Sequence, residues 1–335
     1  MSARRAILLA LAVLALSAPP ADARVLVIGV DGTRWDKLQT VIGEGRAPHL
    51  AGLMRRGFGQ ATLLDYAPPQ AFTVSAVGWS TIASGVNPGK HGVVGALNMD
   101  AAQADKNGHP DFLTRIEQLA PSLRTFSATD WGNLGLHVNG GPIFSDAVDV
   151  KHATAAADTI ESYDAGDQAD TDAAVALLRA GGQQAGFVYL GVVDEVAHVL
   201  GSATDAYTDA IARSDRRIGE LLAATAGEEW TVIVTTDHGQ RDLSIGLPIS
   251  HGGATGLERT SFVIAAGAGV ARDPRIVRAR VVDVHPTVLA RVGLPGAADL
   301  DGLPFATSTR QDAAGFLGRQ AASRAAALRR ARRAR

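Results

Sequence analysis

The chain lacks several features that would assign it to other classes of protein. It has no cysteine, which excludes disulfide bonds and lipid attachment to a cysteine at the N-terminal leader. It has no internal repeat and no Pro/Ser-rich linker, so its alternating strand and helix signals favour one large α/β domain over two small ones. Hydrophobic residues make up 46% of the 335 residues, which is enough for a large buried core.

The N-terminal apolar run is too short for an ordinary membrane span. It covers Ala6–Leu16, follows two arginines and precedes the small-residue stretch Ala21–Ala23. This order predicts a signal peptide in residues 1–23, cleaved after Ala23. The protein is therefore expected to be periplasmic or secreted, with no membrane span in its mature chain. The alternative is an uncleaved N-terminal anchor.

Basic residues are concentrated at the C-terminus. Residues 310–335 hold eight arginines against one aspartate, a net charge of +7, and form a basic Ala/Arg-rich tail. With the leader at +1 and the whole chain at −2, the body in residues 24–309 carries about −10. A body without a basic face argues against nucleic acid as a binding partner. We interpret the tail as a solvated terminus; the alternative is contact with an anionic envelope surface or nucleic acid.

Three apolar stretches have the length and composition of buried strands, and an aspartate follows each. They are rich in Val and Ile without polar alternation, which is typical of strands covered on both faces in a parallel sheet. They are RVLVIGVDG with Asp31, GFVYLGVVDEVAH with Asp194, and WTVIVTTDHG with Asp237. Because ligands bind beyond the carboxyl ends of the strands in an open α/β sheet, we expect the three carboxylates to meet in one site.

The rest of the chain alternates between strand and helix patterns. We expect further strands in Gln60–Ala67, Leu123–Trp131 and Ser261–Gly269, and helices in Ala47–Gly57, Ser80–Ala83, Asp170–Ala180, Thr204–Ala226 and from near Pro286. This order predicts an α/β fold with a mostly parallel, multi-stranded sheet sandwiched between helices.

Three histidines lie close to these acids or in a polar glycine-rich stretch. His198 follows Asp194 by four residues, so the two share a helix face; His238 is adjacent to Asp237; and His251 lies in SHGGATG. Taken singly, such an aspartate is often a helix cap and such a histidine a structural residue. Together, carboxylate and imidazole suit Zn²⁺, and also Mn²⁺ or iron, and three carboxylates buried in one crevice need positive charge.

A candidate nucleophile, Ser75, lies in the segment VSAVGWSTIASGVNPGKHG. Its hydroxyl is a poor nucleophile at its own pKa. A divalent metal ion favours the alkoxide, while a second ion stabilises charge on the substrate or leaving group. The alternative is a turn-forming serine among small residues, and the residues alone leave both interpretations open.

In these motifs the chain resembles the type I phosphodiesterase/nucleotide pyrophosphatase family of the alkaline phosphatase superfamily. The matching pieces are VIGVDG, TVSAVGWSTIASGVNPGKHGV, GVVDEVAH, TTDHG, SHGG and VDVHPTVLARVGLP. They occur in the order of the family and span nearly the whole mature chain. The resemblance implies an alkaline-phosphatase-like catalytic domain in residues 24–309.

The resemblance also implies two zinc sites and a covalent mechanism. One site would consist of Asp31, Ser75, Asp237 and His238, and the other of Asp194, His198 and His251. Ser75 would attack phosphorus in line and form a phosphoseryl intermediate, which water then hydrolyses. Two dications against three carboxylates leave a charge of about +1, so a small phosphorylated substrate is a natural ligand.

The chain departs from the family pattern after Ser75. Nucleotide pyrophosphatases usually have threonine as nucleophile, followed by Phe-Pro-Asn, and the asparagine helps to hold a phosphoryl oxygen. In this chain Ala76, Val77 and Gly78 follow Ser75, so the asparagine is missing. The region from His91 to Asp194 has no insertion large enough for a cap domain, which predicts an open site.

These features favour an exported two-metal phosphodiesterase or nucleotide pyrophosphatase. Diester is favoured over monoester because the VSAVGWS segment has no adjacent arginine to neutralise a dianionic phosphate. A sulfatase on the same scaffold would need a Cys/Ser-x-Pro-x-Arg sequence, which the chain lacks. The remaining alternative is a non-catalytic protein that binds a ligand through its metals, although all seven matched positions keep chemically competent residues.

Overall fold

The computed structural model describes residues 23–95, 108–247, 250–270 and 278–305. The predicted basic tail and all but the last residue of the predicted leader lie outside these ranges. Within them, no helix has the length and apolar character that crossing a membrane requires.

Seven strands lie within the described residues. They are β1 (Arg24–Val30), β2 (Phe58–Leu63), β3 (Arg124–Thr129), β4 (Val150–Ala153), β5 (Gln183–Leu190), β6 (Trp230–Thr235) and β7 (Thr260–Gly267). They form one sheet in the order β2-β7-β6-β1-β5-β3-β4. Neighbouring strands are parallel from β6 through to β4, and β7 is antiparallel to both β6 and β2. The prediction of a mostly parallel sheet is confirmed.

Helices cover both faces of this sheet, as predicted. In the described residues they are α1 (Trp35–Gly43), α2 (Pro48–Arg56), α3 (Ser75–Ser84), α4 (Pro88–His91), α5 (Phe112–Leu119), α6 (Gly132–Gly135), α7 (Ile160–Ala180), α8 (Val192–Leu200), α9 (Asp205–Ala224), α10 (Gly256–Arg259) and α11 (Val284–Arg291). Helices α1, α2, α7 and α9 pack together on one face, and α3, α5 and α11 on the other. Every residue of β6 and all but the first of β1 are buried because both faces are covered.

Most predicted segments are found with shifted bounds, and six elements were not predicted. Helices α2 and α9 match the predicted segments to within two residues at each end. Helix α7 begins at Ile160, ten residues before the predicted start, where the Thr159 side chain accepts a hydrogen bond from the Ser162 N–H. Acidic and small residues in its first half conceal the helical periodicity. Helices α1, α4, α5, α6 and α10 and strand β4 have no counterpart among the predictions.

The helix that carries Ser75 is longer than predicted. The sequence indicates a short helix over Ser80–Ala83, whereas α3 begins at Ser75 itself and ends at Ser84, before Gly85, whose φ of 69° lies in the left-handed region. All residues of α3 after Ser75 are buried, so the helix has no polar face and the sequence shows no amphipathic period. The predicted start was therefore wrong by five residues.

The prediction that Asp194 lies at a strand end was also wrong. Strand β5 ends at Leu190, and Asp194 lies in the first turn of α8. The apolar run continues through Val192 and Val193 because the first turn of α8 is buried as well. Asp194 and His198 are thus four residues apart on one helix, as their spacing predicts.

A close contact between Gly29 and Trp79 fixes the distance between β1 and α3. A methyl group on Gly29 would lie 2.3 Å from Trp79 Cη2, well inside van der Waals contact. The Trp79 ring is buried and packs edge-on against Phe187 and Tyr189, with centroids 5.7 Å away in both cases, so it has no room to retreat. The glycine of VIGVDG therefore permits the approach of the helix that carries Ser75.

We predict that Gly29→Ala destabilises the protein by about 1–3 kcal/mol, the range for overpacking a core. Gly43→Ala is the matched control, because a methyl group on Gly43 at the end of α1 meets no atom within 4 Å. That variant should be neutral or more stable by up to about 1 kcal/mol. Urea unfolding of the three proteins measures the difference; equal destabilisation by both substitutions would contradict the close-contact argument.

Candidate active site

Four residues converge at the carboxyl ends of β1 and β6. Asp31 follows β1, and Asp237 and His238 follow β6; all three side chains are buried. His238 Nε2 lies 3.5 Å from Asp31 Oδ1 and 3.2 Å from Asp237 Oδ2. Ser75 Oγ, at the first residue of α3, lies 3.4 Å from Asp31 Oδ1 and 3.3 Å from His238 Nε2. We call these residues the serine group.

Three further residues form a second set beside it. His198 Nε2 lies 3.0 Å from Asp194 Oδ2, and His251 Nε2 lies 3.2 Å from His198 Nε2 and 3.8 Å from Asp194 Oδ1. We call them the histidine group. The His238 and His251 rings stack with centroids 3.9 Å apart and an interplanar angle of 22°, which joins the two groups. The structure thus brings all seven sequence-predicted site residues together.

The hydrogen bonds of the imidazoles point their Nε2 atoms into the site. His238 Nδ1 lies 3.1 Å from the Gly239 carbonyl oxygen, and His251 Nδ1 lies 3.0 Å from the Thr73 carbonyl oxygen. A carbonyl accepts only from a protonated Nδ1, so in each ring Nδ1 is the donor and Nε2 faces the site. His238 Nε2 lies beside the carboxylates of Asp31 and Asp237, and His251 Nε2 lies beside Asp194. Imidazole and carboxylate bind cations in this arrangement.

The carboxylates of the serine group are held at their outer oxygens. Asp31 Oδ2 accepts from Tyr189 Oη at 2.6 Å and from Trp79 Nε1 at 2.9 Å, so its Oδ1 faces Ser75. Asp237 Oδ1 accepts from the Gly32 N–H at 3.2 Å. Asp237 Oδ2 is buried and forms no hydrogen bond. A buried oxygen without a donor indicates a missing cation or proton, so the residues present fit a metal ion.

Burial and mutual repulsion dominate the electrostatics of the serine group. Burial raises the pKa of Asp31, and the charge of Asp194 raises it further. The pKa of Asp237 is raised well above its usual range by burial and then by Asp31 and Asp194. Without a cation, burial therefore favours the protonated form of both carboxyls; a bound dication would instead stabilise the ionised form.

The histidine group behaves differently because it contains an ion pair. Burial opposes ionisation of Asp194, but the charge of His198 outweighs it and lowers the pKa of Asp194. Asp194 in turn raises the pKa of His198 to about 9. Burial, followed by the charge of His238, lowers the pKa of His251 to about 3, so that ring stays neutral. A neutral imidazole is the form that ligates metals.

Several residues that hold the ligands in place were not predicted. Gln240 Nε2 donates to Asp194 Oδ1, and Ser250 Oγ donates to Gln240 Oε1 at 2.7 Å. Gln240 directly follows TTDHG, and its polar side chain is the only sequence feature that could have indicated its role. Tyr189 and Trp79 gave no signal, since both belong to apolar segments.

Asp167 on α7 caps the helix that carries two of the predicted ligands. Its carboxylate accepts from the N–H groups of Gly191 at 2.6 Å and Val192 at 3.4 Å, at the N-terminus of α8. Gly191 has no side chain with which to cap the helix. Burial raises the pKa of Asp167 to about 7, and the charge of Arg217, whose Nη1 lies 3.4 Å from Asp167 Oδ2, opposes that rise. In its ionised form the carboxylate complements the helix dipole. Asp167 therefore fixes the orientation of α8.

A fourth acid, Asp130, also follows a strand of this sheet but belongs to neither group. It comes directly after β3, and neither of its buried carboxyl oxygens forms a hydrogen bond. Burial, followed by the charge of Asp167, raises its pKa to about 10. Both carboxyl oxygens of Asp170 on α7 are likewise without a hydrogen bond, and burial, followed by the charge of Asp167, raises its pKa to about 9. Both carboxyls are neutral at pH 7.

The glycine at the position of the family's asparagine has a structural explanation. A methyl group on Gly78 would lie 2.6 Å from Asp237 Cβ and 2.7 Å from the Asp237 carbonyl oxygen. Helix α3 therefore rests directly on the backbone that presents Asp237. No side chain fits at this position without displacing one of the two.

Comparison with known proteins agrees with this geometry. The fold, with its acids and histidines at the carboxyl edge of a mostly parallel sheet, is that of the alkaline phosphatase superfamily. Residues 25–252 match the family model of type I phosphodiesterase / nucleotide pyrophosphatase, and the chain belongs to this family. It is a phosphoester hydrolase by that membership. No curated protein matches the chain.

Solved structures share the fold at low sequence identity. Murine ectonucleotide pyrophosphatase / phosphodiesterase 5 has 15% identity and a TM-score of 0.55, and the match covers 85% of this chain and 97% of that one. A quadruple mutant of alkaline phosphatase PafA has 12% identity and a TM-score of 0.62, covering 85% and 98%. A 2-O GAG sulfatase has 12% identity and a TM-score of 0.56, covering 84% and 73%.

We predict that His198 of the metal-free protein titrates with a pKa of about 9, against an ordinary value of 6.5. Because the folded value is the higher one, protonated His198 stabilises the metal-free fold below about pH 6.5, and this contribution is lost as the pH rises through about 9. Asp194→Asn should return the pKa toward 6.5. Histidine NMR titration of EDTA-treated protein, with His198→Asn to assign the signal, makes the measurement; identical titrations in wild type and Asp194→Asn would refute the ion pair.

Proposed function

We propose that the protein is a two-metal phosphodiesterase or nucleotide pyrophosphatase that works through a phosphoseryl intermediate on Ser75. The observation that carries the proposal is the place of Ser75 Oγ, 3.4 Å from Asp31 Oδ1 and 3.3 Å from His238 Nε2. It lies at the N-terminus of α3, where the helix dipole favours an anionic group. A small phosphorylated substrate fits this site, and an inactive variant of murine ectonucleotide pyrophosphatase / phosphodiesterase 5 binds AMP.

The serine group and the histidine group each supply the donors for one divalent ion. Asp31, Asp237, His238 and Ser75 would hold one, and Asp194, His198 and His251 the other. Mixed oxygen and nitrogen donors suit zinc, which we propose for both. When bound, such ions neutralise the carboxylates, favour the ionised serine and attract negative charge on phosphoryl oxygens.

The proposed reaction has two steps: Ser75 displaces the alcohol from phosphorus, and water then displaces Ser75. Ser75 Oγ gives up its proton and forms a bond to phosphorus, while the bond from phosphorus to the leaving alcohol breaks and that oxygen takes up a proton. A water molecule then attacks the phosphoserine, and Ser75 Oγ leaves and regains its proton. Tyr189 and Trp79 keep Asp31 aligned throughout because they bind its outer oxygen.

The cations next to the site support a diester over a monoester. Arg34, three residues after Asp31, pairs with Asp36 and Asp242 at 2.6 Å each. Arg241, three residues after His238, pairs with Glu258 at 2.9 Å. Guanidinium groups committed to carboxylates do not supply the extra charge that a dianionic terminal phosphate needs. A phosphomonoesterase remains the second candidate; a sulfatase is disfavoured by the absence of Pro and Arg after Ser75.

We also propose that the reaction takes place outside the cytoplasm, in the periplasm or the medium. The support is the order of charged, apolar and small residues in the leader, residues 1–23. N-terminal sequencing of the exported chain is the direct test. The proposed catalytic domain is residues 24–309, followed by the basic tail.

Ser75→Ala should lower kcat on bis-p-nitrophenyl phosphate by about 10³- to 10⁶-fold, because it removes the attacking oxygen. Ser75→Thr should retain appreciable activity, since threonine offers the same hydroxyl. Ser80→Ala is the control on the same helix: Ser80 Oγ is buried without a hydrogen-bond partner, so its loss should change kcat by no more than about twofold. A Ser80→Ala enzyme without turnover beside an active Ser75→Ala enzyme would refute the assignment.

We expect substitutions in the serine group and in the histidine group to weaken the binding of different metal ions. We expect two equivalents of zinc in the wild-type protein, reduced affinity for one in Asp237→Asn and for the other in His251→Ala. Each loss should exceed the roughly 10- to 100-fold effect of removing a residue that only orients a ligand. Asp242→Asn is the control, since that acid pairs with Arg34. Metal analysis after equilibrium dialysis makes the measurement; activity that survives complete metal removal would exclude the two-metal mechanism.

A further inference from the structure

Gln240 and Ser250 connect two residues of the histidine group through a chain of hydrogen bonds. Gln240 Nε2 donates to Asp194 Oδ1, and Ser250 Oγ lies 2.7 Å from Gln240 Oε1. At the other end, Ser250 Oγ lies 3.3 Å from His198 Nδ1. Gln240 and Ser250 are both fully buried, and we call them the amide–hydroxyl pair. The chain of hydrogen bonds therefore runs from one candidate ligand, Asp194, to another, His198.

The backbone holds the amide–hydroxyl pair in place. The Arg241 N–H donates to the Ser250 carbonyl oxygen at 2.8 Å, so the segments that carry the two side chains lie side by side. A methyl group on Gly32 would overlap both Asp194 Oδ1 and Gln240 Nε2, so the loop after β1 lies directly on the first bond of the chain. Contacts with neighbouring segments therefore fix where both side chains lie.

Asp194 determines the direction of every hydrogen bond in this chain. An ionised carboxylate only accepts, so the Gln240 amide turns its NH₂ group toward Asp194 and its Oε1 toward Ser250. Because Oε1 also only accepts, the single hydroxyl proton of Ser250 is committed to Gln240. Ser250 Oγ therefore offers His198 Nδ1 a lone pair and no proton.

The second oxygen beside His198 Nδ1 is an acceptor as well. The Leu247 carbonyl oxygen lies 3.5 Å from Nδ1, a longer distance than the 3.0–3.1 Å at which carbonyls hold His238 and His251. With an acceptor in both places, the neutral His198 ring keeps its proton on Nδ1. Its Nε2, 3.0 Å from Asp194 Oδ2, is then the nitrogen left to bind a cation.

We infer that Gln240 and Ser250 are positioning residues that select the tautomer of His198 able to ligate the second metal ion. A serine hydroxyl can donate or accept, so Ser250 alone would specify neither tautomer, and it becomes a fixed acceptor only because Gln240 takes its proton. The charge on one ligand, Asp194, thus decides where the proton lies on another. The inference rests on the proposed function, because it takes His198 as a metal ligand.

A pair of variants separates the direction of these hydrogen bonds from packing. Gln240→Met frees the Ser250 hydroxyl to donate to His198 Nδ1, so part of the population should carry the proton on Nε2. The affinity for the zinc ion of the histidine group should then fall by about 10- to 100-fold. Gln240→Met combined with Ser250→Ala removes that competing donor, so the Leu247 carbonyl should return the proton to Nδ1 and restore much of the affinity.

Two measurements read the result. Long-range ¹H–¹⁵N NMR of EDTA-treated protein, well above pH 9 where the His198 ring is neutral, reports the tautomer, and His198→Asn assigns the signal. Dialysis against a competing chelator reports the affinity for each zinc ion. Gln60→Met is the matched control, because Gln60 donates at 3.3 Å to the Ala279 carbonyl from the edge strand β2. It should change neither quantity.

The outcomes distinguish the inference from the proposed function. A His198 ring that keeps its proton on Nδ1 in Gln240→Met overturns the inference, and so does a double variant that binds zinc no better than Gln240→Met, since packing alone would then explain the loss. If the wild-type protein binds no zinc, the proposed function fails. The NMR comparison of the metal-free variants then still decides whether the amide–hydroxyl pair selects the tautomer.

Discussion

The burial of two carboxyl groups, Asp31 and Asp237, at the ends of adjacent strands is the constraint on which the site depends. Parallel register brings the ends of β1 and β6 level, so the two acids meet where both side chains are buried. Burial of like charges is costly unless donors or cations compensate it. Tyr189, Trp79 and the Gly32 N–H supply part of that compensation, and the remaining oxygens face the space where Ser75 and His238 also point.

The sequence predicts the strands and the acids well because a parallel strand leaves a strong local signal. An apolar run that ends in a polar residue indicates both a buried strand and the place where it ends. Asp31 and Asp237 follow the ends of β1 and β6, as this pattern predicts. The same logic misplaced Asp194, since the buried first turn of α8 extends the apolar run past Leu190. The Asp194 and His198 pairing was still predictable, because i, i+4 spacing identifies residues on one helix face.

Contacts between distant segments leave no such local signal. Asp167 caps α8 from another helix, and Trp79 reaches Asp31 across 48 positions of sequence, so neither role follows from a neighbouring motif. The extent of α3 was missed because a helix buried on every side has no amphipathic period. Ser75 could be identified only through the family resemblance, since its immediate neighbours are small residues common in turns.

The close approach of Gly78 to Asp237 means that the position of the α3 backbone decides which residue can occupy position 78. A single codon change that introduced the asparagine typical of nucleotide pyrophosphatases would meet the Asp237 main chain at 2.7 Å before it could reach a phosphoryl oxygen. A lineage with this spacing between α3 and β6 can acquire that residue only after a second change has moved the helix. The close approach of α3 to the Asp237 backbone therefore restricts position 78 to glycine for as long as the helix keeps its place.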